Sequence, residues 1–129
     1  MKYFFLHINL NPDKEIYNQI SKVLGVEPMK FTPTKRIKKN DFSLWSYRLI
    51  ESDDESNIDF INEFMDLIEP NIAALKTLGV QPNDIDVWMN YEYQHQCAME
   101  FTPSEMKRLS ANGITLCIDC FQTENSQIE

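Results

Sequence analysis

The sequence has few of the residues on which common catalytic motifs depend. Glycine occurs three times in 129 residues, and Gly25, Gly79 and Gly113 each follow a segment with helical periodicity. No glycine remains to build a loop that cradles phosphate, and the chain has no G-x-x-x-x-G-K, G-x-G-x-x-G or G-x-S-x-G motif. These absences exclude the P-loop, dinucleotide-binding and nucleophile-elbow classes, although they do not exclude an enzyme.

Cysteine is scarce as well. The three cysteines, Cys97, Cys117 and Cys120, are an odd number and all lie in the last third of the chain. This distribution is typical of reduced thiols in a cytosol rather than of a secreted disulfide framework. Cys117 and Cys120 have C-x-x-C spacing, and with Cys97 and His95 they could supply four zinc ligands. Because residues three apart on a strand face opposite sides, we expect structural thiols here, with no metal and no cofactor.

Long apolar runs are missing. The apolar residues near the start are too few for a signal peptide, His7 interrupts them, and no small-residue cleavage site follows. No stretch approaches the ~20 residues of a membrane span. We therefore expect a cytoplasmic protein with no membrane partner.

Negative charge, in contrast, is in excess. Twenty acidic residues against twelve Lys and Arg give a net charge of -8 and a pI near 4.7. This balance opposes binding to nucleic acids and to anionic membranes. It permits a basic protein partner, a cationic ligand or no partner at all. Hydrophobic residues make up 43% of the chain, which is enough for one core without metals or disulfides.

The hydrophobic pattern predicts a single α+β domain over residues 1–123 and a frayed polar tail over 124–129. Strands are expected where apolar or β-branched residues follow one another, at 2–10, twice within 29–50, and at 85–93, 96–101 and 114–121. The resulting order is β-α-β-β-α-β-β-α-β. It predicts a mostly antiparallel sheet with helices mainly on one face.

Three helices are expected between these strands. The first begins at an N-cap, Asn11, and ends before Gly25; the second covers residues 58–75 and breaks or bends near Pro70. The third follows the capping box Thr102-Pro103-Ser104-Glu105. The segments 24–28 and 78–82 share four of five letters. A duplication could explain this, but five residues are little evidence, and a common way of ending a helix is the favoured explanation.

Acidic residues cluster on the second predicted helix. Residues 51–69 contain eight acids and no base, and Asp59, Glu63 and Asp66 share its polar side. A solvated helix face is one interpretation. The other, which we carry forward, is that these three residues contact a basic partner, as in small proteins that inhibit others electrostatically. It makes the chain a protein-binding module of inhibitor or immunity type rather than an enzyme, and we assign no catalytic residue.

A second candidate site is a face of the sheet. If the strands align, polar and aromatic side chains would line one side and could bind a small ligand or support catalysis: His7, Trp88, Asn90, Glu92, Glu100 and Asp119. An ordinary solvent face of an antiparallel sheet has the same pattern.

A basic segment is the third candidate. Residues 30–39 carry five Lys and Arg and no acid, and Trp45 and Tyr47 follow. Basic and aromatic residues together can bind nucleic acid, whereas lysines that protect a sheet edge look the same. The net charge favours the edge interpretation.

The stretch from Leu24 to Trp45 resembles the bacterial family called domain of unknown function 4279. The shared pattern is Leu-Gly-[Ile/Val]-x-Pro, a basic turn and then a Trp, here Leu24 to Pro28, the Lys35–Lys39 run and Trp45. Met29 and Asn40 depart from it, where members often have Thr and Gly. The resemblance implies a bacterial cytoplasmic protein and brings no activity.

Overall fold

Four strands and four α-helices make up the fold in a computed structural model that describes residues 1–30, 41–52 and 57–123. The strands are β1 (Lys2–Asn9), β2 (Leu44–Glu51), β3 (Ile85–Tyr93) and β4 (Thr115–Gln122). The helices are α1 (Lys14–Leu24), α2 (Phe60–Ile68), α3 (Ile72–Thr77) and α4 (Pro103–Ala111), with 3₁₀ turns at Glu69–Asn71 and Pro82–Asp84. None of these helices is long and apolar enough to cross a membrane.

The strands form one sheet in the order β2-β1-β3-β4. β1 is antiparallel to both β2 and β3, whereas β4 is parallel to β3. The predicted fold class, an α+β domain with a mostly antiparallel sheet, is therefore confirmed.

One face of the sheet carries the hydrophobic core. Alternate residues of β1 (Phe4, Leu6 and Ile8) are buried, as are those of β3 (Ile85, Val87 and Met89). Buried residues of α1, α2, α3 and α4 belong to the same cluster, as do Trp45 of β2 and Val80. This alternation is what a sheet produces when only one of its faces is covered by helices.

Local signals set most helix ends. The Thr102–Glu105 capping box is present, and Gly25 adopts the left-handed conformation (φ 70°) that ends α1. Pro70 lies in the 3₁₀ turn that separates α2 from α3, as its predicted bend requires. The predicted N-cap at Asn11 is wrong, because α1 is capped by Asp13, which accepts hydrogen bonds from two amides of the first turn.

Residues 96–101, expected as a strand, form no strand. β4 occupies the free edge of β3 and runs parallel to it, so the chain must return to the start of β3 before β4 begins. Residues 94–114 make this crossover. Most of the other strand expected in 29–50, the Lys35–Lys39 run, residues 53–56 and the tail 124–129 lie outside the described residues.

Candidate functional site

The face of the sheet opposite the helices brings together five of the six residues expected to line a ligand face. Strand pairing places Trp88 beside Phe5 and Cys117, and Asn90 beside Tyr3 and Asp119. His7 and Glu92 lie on the same face by alternation, and the ring centroids of His7 and Trp88 are 5.8 Å apart.

Among the described residues, three polar atoms on this face lack partners: Ser46 Oγ, which lies beside His7, and two atoms of β3. The Trp88 Nε1 donor and the Asn90 Oδ1 acceptor are buried without a hydrogen bond in the described part of the chain. A buried donor or acceptor without a partner is costly, so these atoms would gain from a ligand that supplied the missing bonds. None of the five described cavities is lined by His7, Trp88 or Asn90.

The charge state of His7 follows from its surroundings. Burial lowers the pKa of this imidazole from its ordinary value of 6.5, and the nearby Asp86 carboxylate raises it by a smaller amount. The neutral form is therefore favoured, in which one ring nitrogen donates a hydrogen bond and the other accepts one.

Glu100 does not belong to this face, and its assignment there is wrong. It lines a cavity on the helix side of the sheet together with Phe4 and Met89, whose side chains point into the core. The prediction relied on strand alternation through residues 96–101. That alternation does not apply because the segment is not a strand.

This cavity has a volume of about 730 Å³ and combines an apolar floor with charged side chains. Its floor is aromatic and sulfur-containing: Phe4 stacks on Phe60 with ring centroids 4.3 Å apart, Phe101 meets Phe60 edge to face, and Met89 and Met99 complete it. Four carboxylates and one ammonium group also line the cavity, a net formal charge of -3: Glu51, Asp59, Glu100, Glu105 and Lys2.

Lys2 is already engaged inside the cavity. Its Nζ lies 3.4 Å from Glu51 Oε2 and 4.8 Å from the centre of the Tyr91 ring. The same Glu51 accepts a 2.6 Å hydrogen bond from the Ile58 amide through Oε1. Glu51 and Lys2 therefore act as a structural pair, and the excess negative charge comes from the other three carboxylates.

Those three carboxylates differ in their engagement. Glu105 accepts hydrogen bonds from Thr102 in the capping box, and Asp59 accepts two from the Asn62 amide. Glu100 is exposed and has no partner among the described residues. The carboxylates of Asp59 and Glu100 are thus the ones placed to meet a positively charged group.

Arg108 of α4 contacts the C-terminal part of the acidic side of α2. Arg108 forms an ion pair with Asp66 (2.7 Å), another with Glu69, and donates to Asn62 Oδ1 (2.8 Å). Hydrogen bonding to Asp66, and then to Glu69, raises the pKa of the guanidinium. Of the three residues expected to contact a partner, Asp59 lines the cavity, Glu63 is exposed, and Asp66 is paired within the chain.

The cysteines lie on both sides of the sheet. Cys117 pairs with Trp88 and faces away from the helices, whereas Cys120 pairs with Tyr91 and faces the helix side. In the described segments, no three His, Cys, Asp or Glu side chains form a group that could hold a metal ion.

Sequence reasoning missed the cavity, because its walls come from three strands (β1, β2 and β3), from two helices (α2 and α4) and from two connecting segments, which are distant from one another in sequence. One local signal was available. An acidic residue precedes a Phe at two places, Asp59-Phe60 and Glu100-Phe101. In both, the Phe ring forms part of the cavity floor and the acidic side chain is exposed. Two such pairs facing each other place negative charge around an aromatic floor.

The fold and this site define a class. It is a small α+β domain with helices on one face of its sheet and, on that side of the sheet, an acidic cavity with an aromatic floor. No family model matches the chain, and neither a curated protein nor a solved structure matches it.

Proposed function

We propose that the protein is a cytoplasmic binding module whose acidic cavity takes up a lysine or arginine side chain of a basic partner protein. The observation that carries the proposal is one cavity of about 730 Å³. It combines an aromatic floor with a net formal charge of -3. The apolar stem of such a side chain can lie on Phe60 and Phe101, while its charged end meets Asp59 and Glu100.

The charge of the whole chain supports a protein partner. A net charge of -8 attracts a basic surface over long distances and accelerates the encounter, while the cavity supplies specific contacts. An inhibitor or immunity protein acts in this way, by occupying the basic surface of its target. We propose such a role in a bacterium, in line with the resemblance to the domain of unknown function 4279 family, and we propose no catalytic residue.

A charge-neutralisation experiment tests the cavity. We expect the double variant Asp59→Asn/Glu100→Gln to bind a fluorescent hexalysine peptide about tenfold more weakly than the native chain, a loss of about 1.4 kcal/mol. The matched control is Glu27→Gln/Glu63→Gln, which removes the same charge at exposed residues that do not line the cavity. Fluorescence anisotropy at low and high salt measures both.

The control decides between the cavity and general attraction. Equal losses in the two double variants would mean that the peptide responds to net charge alone, and would overturn the proposal. A loss confined to the control would move the contact away from the cavity, to the surface around Glu27 or Glu63. The same variants can then be compared on any basic partner that salt releases from the protein in its native host.

We propose, as a second candidate function, a small-ligand site or an enzyme site on the sheet face opposite the helices. The specific observation is the unpartnered Trp88 Nε1 donor beside the unpartnered Asn90 Oδ1 acceptor on one strand. A screen of small polar metabolites by NMR can follow the Trp88 indole N–H signal. The Trp45 indole is the internal control, because it is buried and donates to Ser21 Oγ at 3.0 Å. If no compound moves the Trp88 signal alone, this candidate is removed.

A further inference from the structure

A second cavity adjoins the acidic cavity at one end of the sheet. It has a volume of about 520 Å³ and shares three lining residues, Lys2, Glu51 and Asn57, with the acidic cavity. The two cavities therefore lie side by side, with the ion pair between Lys2 and Glu51 (3.4 Å) at their boundary.

Strand β3 connects the two cavities. Met89 lines the acidic cavity, and the next two residues on the same side of β3, Tyr91 and Tyr93, line the second cavity. Alternate residues of a strand are roughly 7 Å apart. The side chains that project to one side of an extended peptide have the same spacing, so such a peptide laid along this groove can place one side chain in each cavity.

The two cavities differ in charge. The acidic cavity has a net formal charge of -3, whereas in the second cavity the position of a cation is already taken, because Lys2 Nζ lies 4.8 Å from the centre of the Tyr91 ring. Glu51 is paired with this lysine, and alternation directs the Glu92 side chain to the opposite face of the sheet. The second cavity therefore favours a neutral side chain over a second basic one.

The second cavity also offers aromatic surface. The rings of Tyr91 and Tyr93 meet edge to face with their centroids 6.3 Å apart, and the exposed His95 lies in the same lining. Lys2 covers the Tyr91 ring, whereas Tyr93 lies at the end of β3. Aromatic rings gain from stacked and edge-to-face contacts beyond the area they bury, so a ring from a partner fits beside Tyr93.

We propose that the two cavities together bind an extended segment of the basic partner in which one residue separates a lysine or arginine from an aromatic residue. The basic side chain enters the acidic cavity, and the aromatic ring packs on Tyr93. Lys2 determines the selectivity, because its ammonium group repels a second basic residue at the aromatic position. This inference rests on the proposed function and adds a second subsite to it.

Three peptides with capped ends test the second subsite on the complete chain. Their sequences are Tyr-Gly-Lys-Gly-Tyr, Gly-Gly-Lys-Gly-Gly and Lys-Gly-Lys-Gly-Lys, and NMR titration at high salt, which screens the net charge, gives each Kd. We expect the tyrosine peptide to bind about fivefold more tightly than the glycine peptide. It should also bind more tightly than the peptide with three lysines.

Two variants assign the gain to the cavity. Tyr93→Ser is expected to remove the advantage of the tyrosine peptide and to leave binding of the glycine peptide unchanged. Phe121→Ser is the matched control, because Phe121 is an exposed ring of β4 that lines neither cavity. It should preserve the advantage.

The double variant Asp59→Asn/Glu100→Gln separates this inference from the proposed function. If it weakens binding of the tyrosine and glycine peptides while these two have equal Kd values on the native chain, the second subsite is refuted and the acidic cavity stands. If it weakens neither peptide, both proposals fall. An advantage that persists in Tyr93→Ser, or tighter binding of the peptide with three lysines, would also overturn the second subsite.

Discussion

His7 shows how burial alone can set the charge of a single residue. On the sheet face opposite the helices, the centroid of its ring lies 5.4 Å from that of Phe5 and 5.8 Å from that of Trp88. Burial lowers its pKa below 6.5, so the folded protein binds a proton there less readily than the unfolded chain does. Protonation therefore favours unfolding.

We predict that His7 makes stability depend on pH below about 7. Because the folded pKa is lowered, the contribution of His7 to stability is complete above the unfolded value of 6.5 and is lost as the pH falls through the folded pKa. Urea unfolding of His7→Gln between about pH 7 and pH 5 should show a shallower loss than the native protein. His95→Gln is the control at the other, exposed histidine. Parallel curves for the native protein and His7→Gln would contradict this account.

At the scale of elements, one arginine joins two helices. Arg108 of α4 reaches Asn62, Asp66 and Glu69 along α2 and the turn after it. Its side chain is 25% exposed, and that of Asp66 is 71% exposed, so water screens the charges. Arg108 makes a network of contacts rather than one isolated ion pair. Because its positive charge offsets negative charge on the acidic side of α2, α4 can pack closely against that side.

We predict that Arg108→Met lowers the free energy of unfolding by about 1 kcal/mol, because the network is partly solvated. Lys107→Met, which changes an exposed lysine with no partner in the described structure, should lower it by less than about 0.5 kcal/mol. Chemical denaturation at low and high salt measures both. Equal effects of the two substitutions would show that the arginine does not join α4 to α2.

The parallel pairing of β4 with β3 determines the path of the segment that connects them. Between Tyr93 and Thr115 the chain must travel the length of β3 before β4 can begin in register with it. Residues 96–101 have a strand-like composition, but β4 takes the ladder positions that they would need. Their larger side chains, Met99 and Phe101, pack into the core instead, while Glu100 remains exposed.

At the scale of the whole molecule, the order of the strands predicts which parts open first. β1 and β3 each have a neighbour on both sides, whereas β4 lies at an edge and most of its residues are exposed. Hydrogen bonds of backbone amides between two central strands break only when the sheet separates. Amides of an edge strand can open locally.

We predict that amide hydrogen exchange is slowest in β1 and β3 and fastest, among the strands, in β4. Exchange followed by NMR at a pH where the protein is stable measures this order. Protection of β4 equal to that of β1 would contradict it, and would indicate that another surface covers this edge in solution.

Much of the fold follows from local physics that the sequence contains. The alternation of Phe4, Leu6 and Ile8 fixes which face of β1 is buried, and the Thr102–Glu105 box fixes where α4 begins, because both depend on neighbours within a few residues. Alternation also places His7 and Trp88 on one face. The N-cap of α1 could not be chosen between Asn11 and Asp13 by residue type alone, since both accept hydrogen bonds from a helix start.

The sequence by itself determined the α+β class, the one-sided sheet and the excess of negative charge, because composition and periodicity carry these properties directly. Tertiary structure alone decided the parallel position of β4, the pairing of Asp66 with Arg108 and the meeting of Asp59 with Glu100 around an aromatic floor. Each of these depends on segments more than twenty residues apart along the chain, and periodicity carries no information about which distant segments become neighbours.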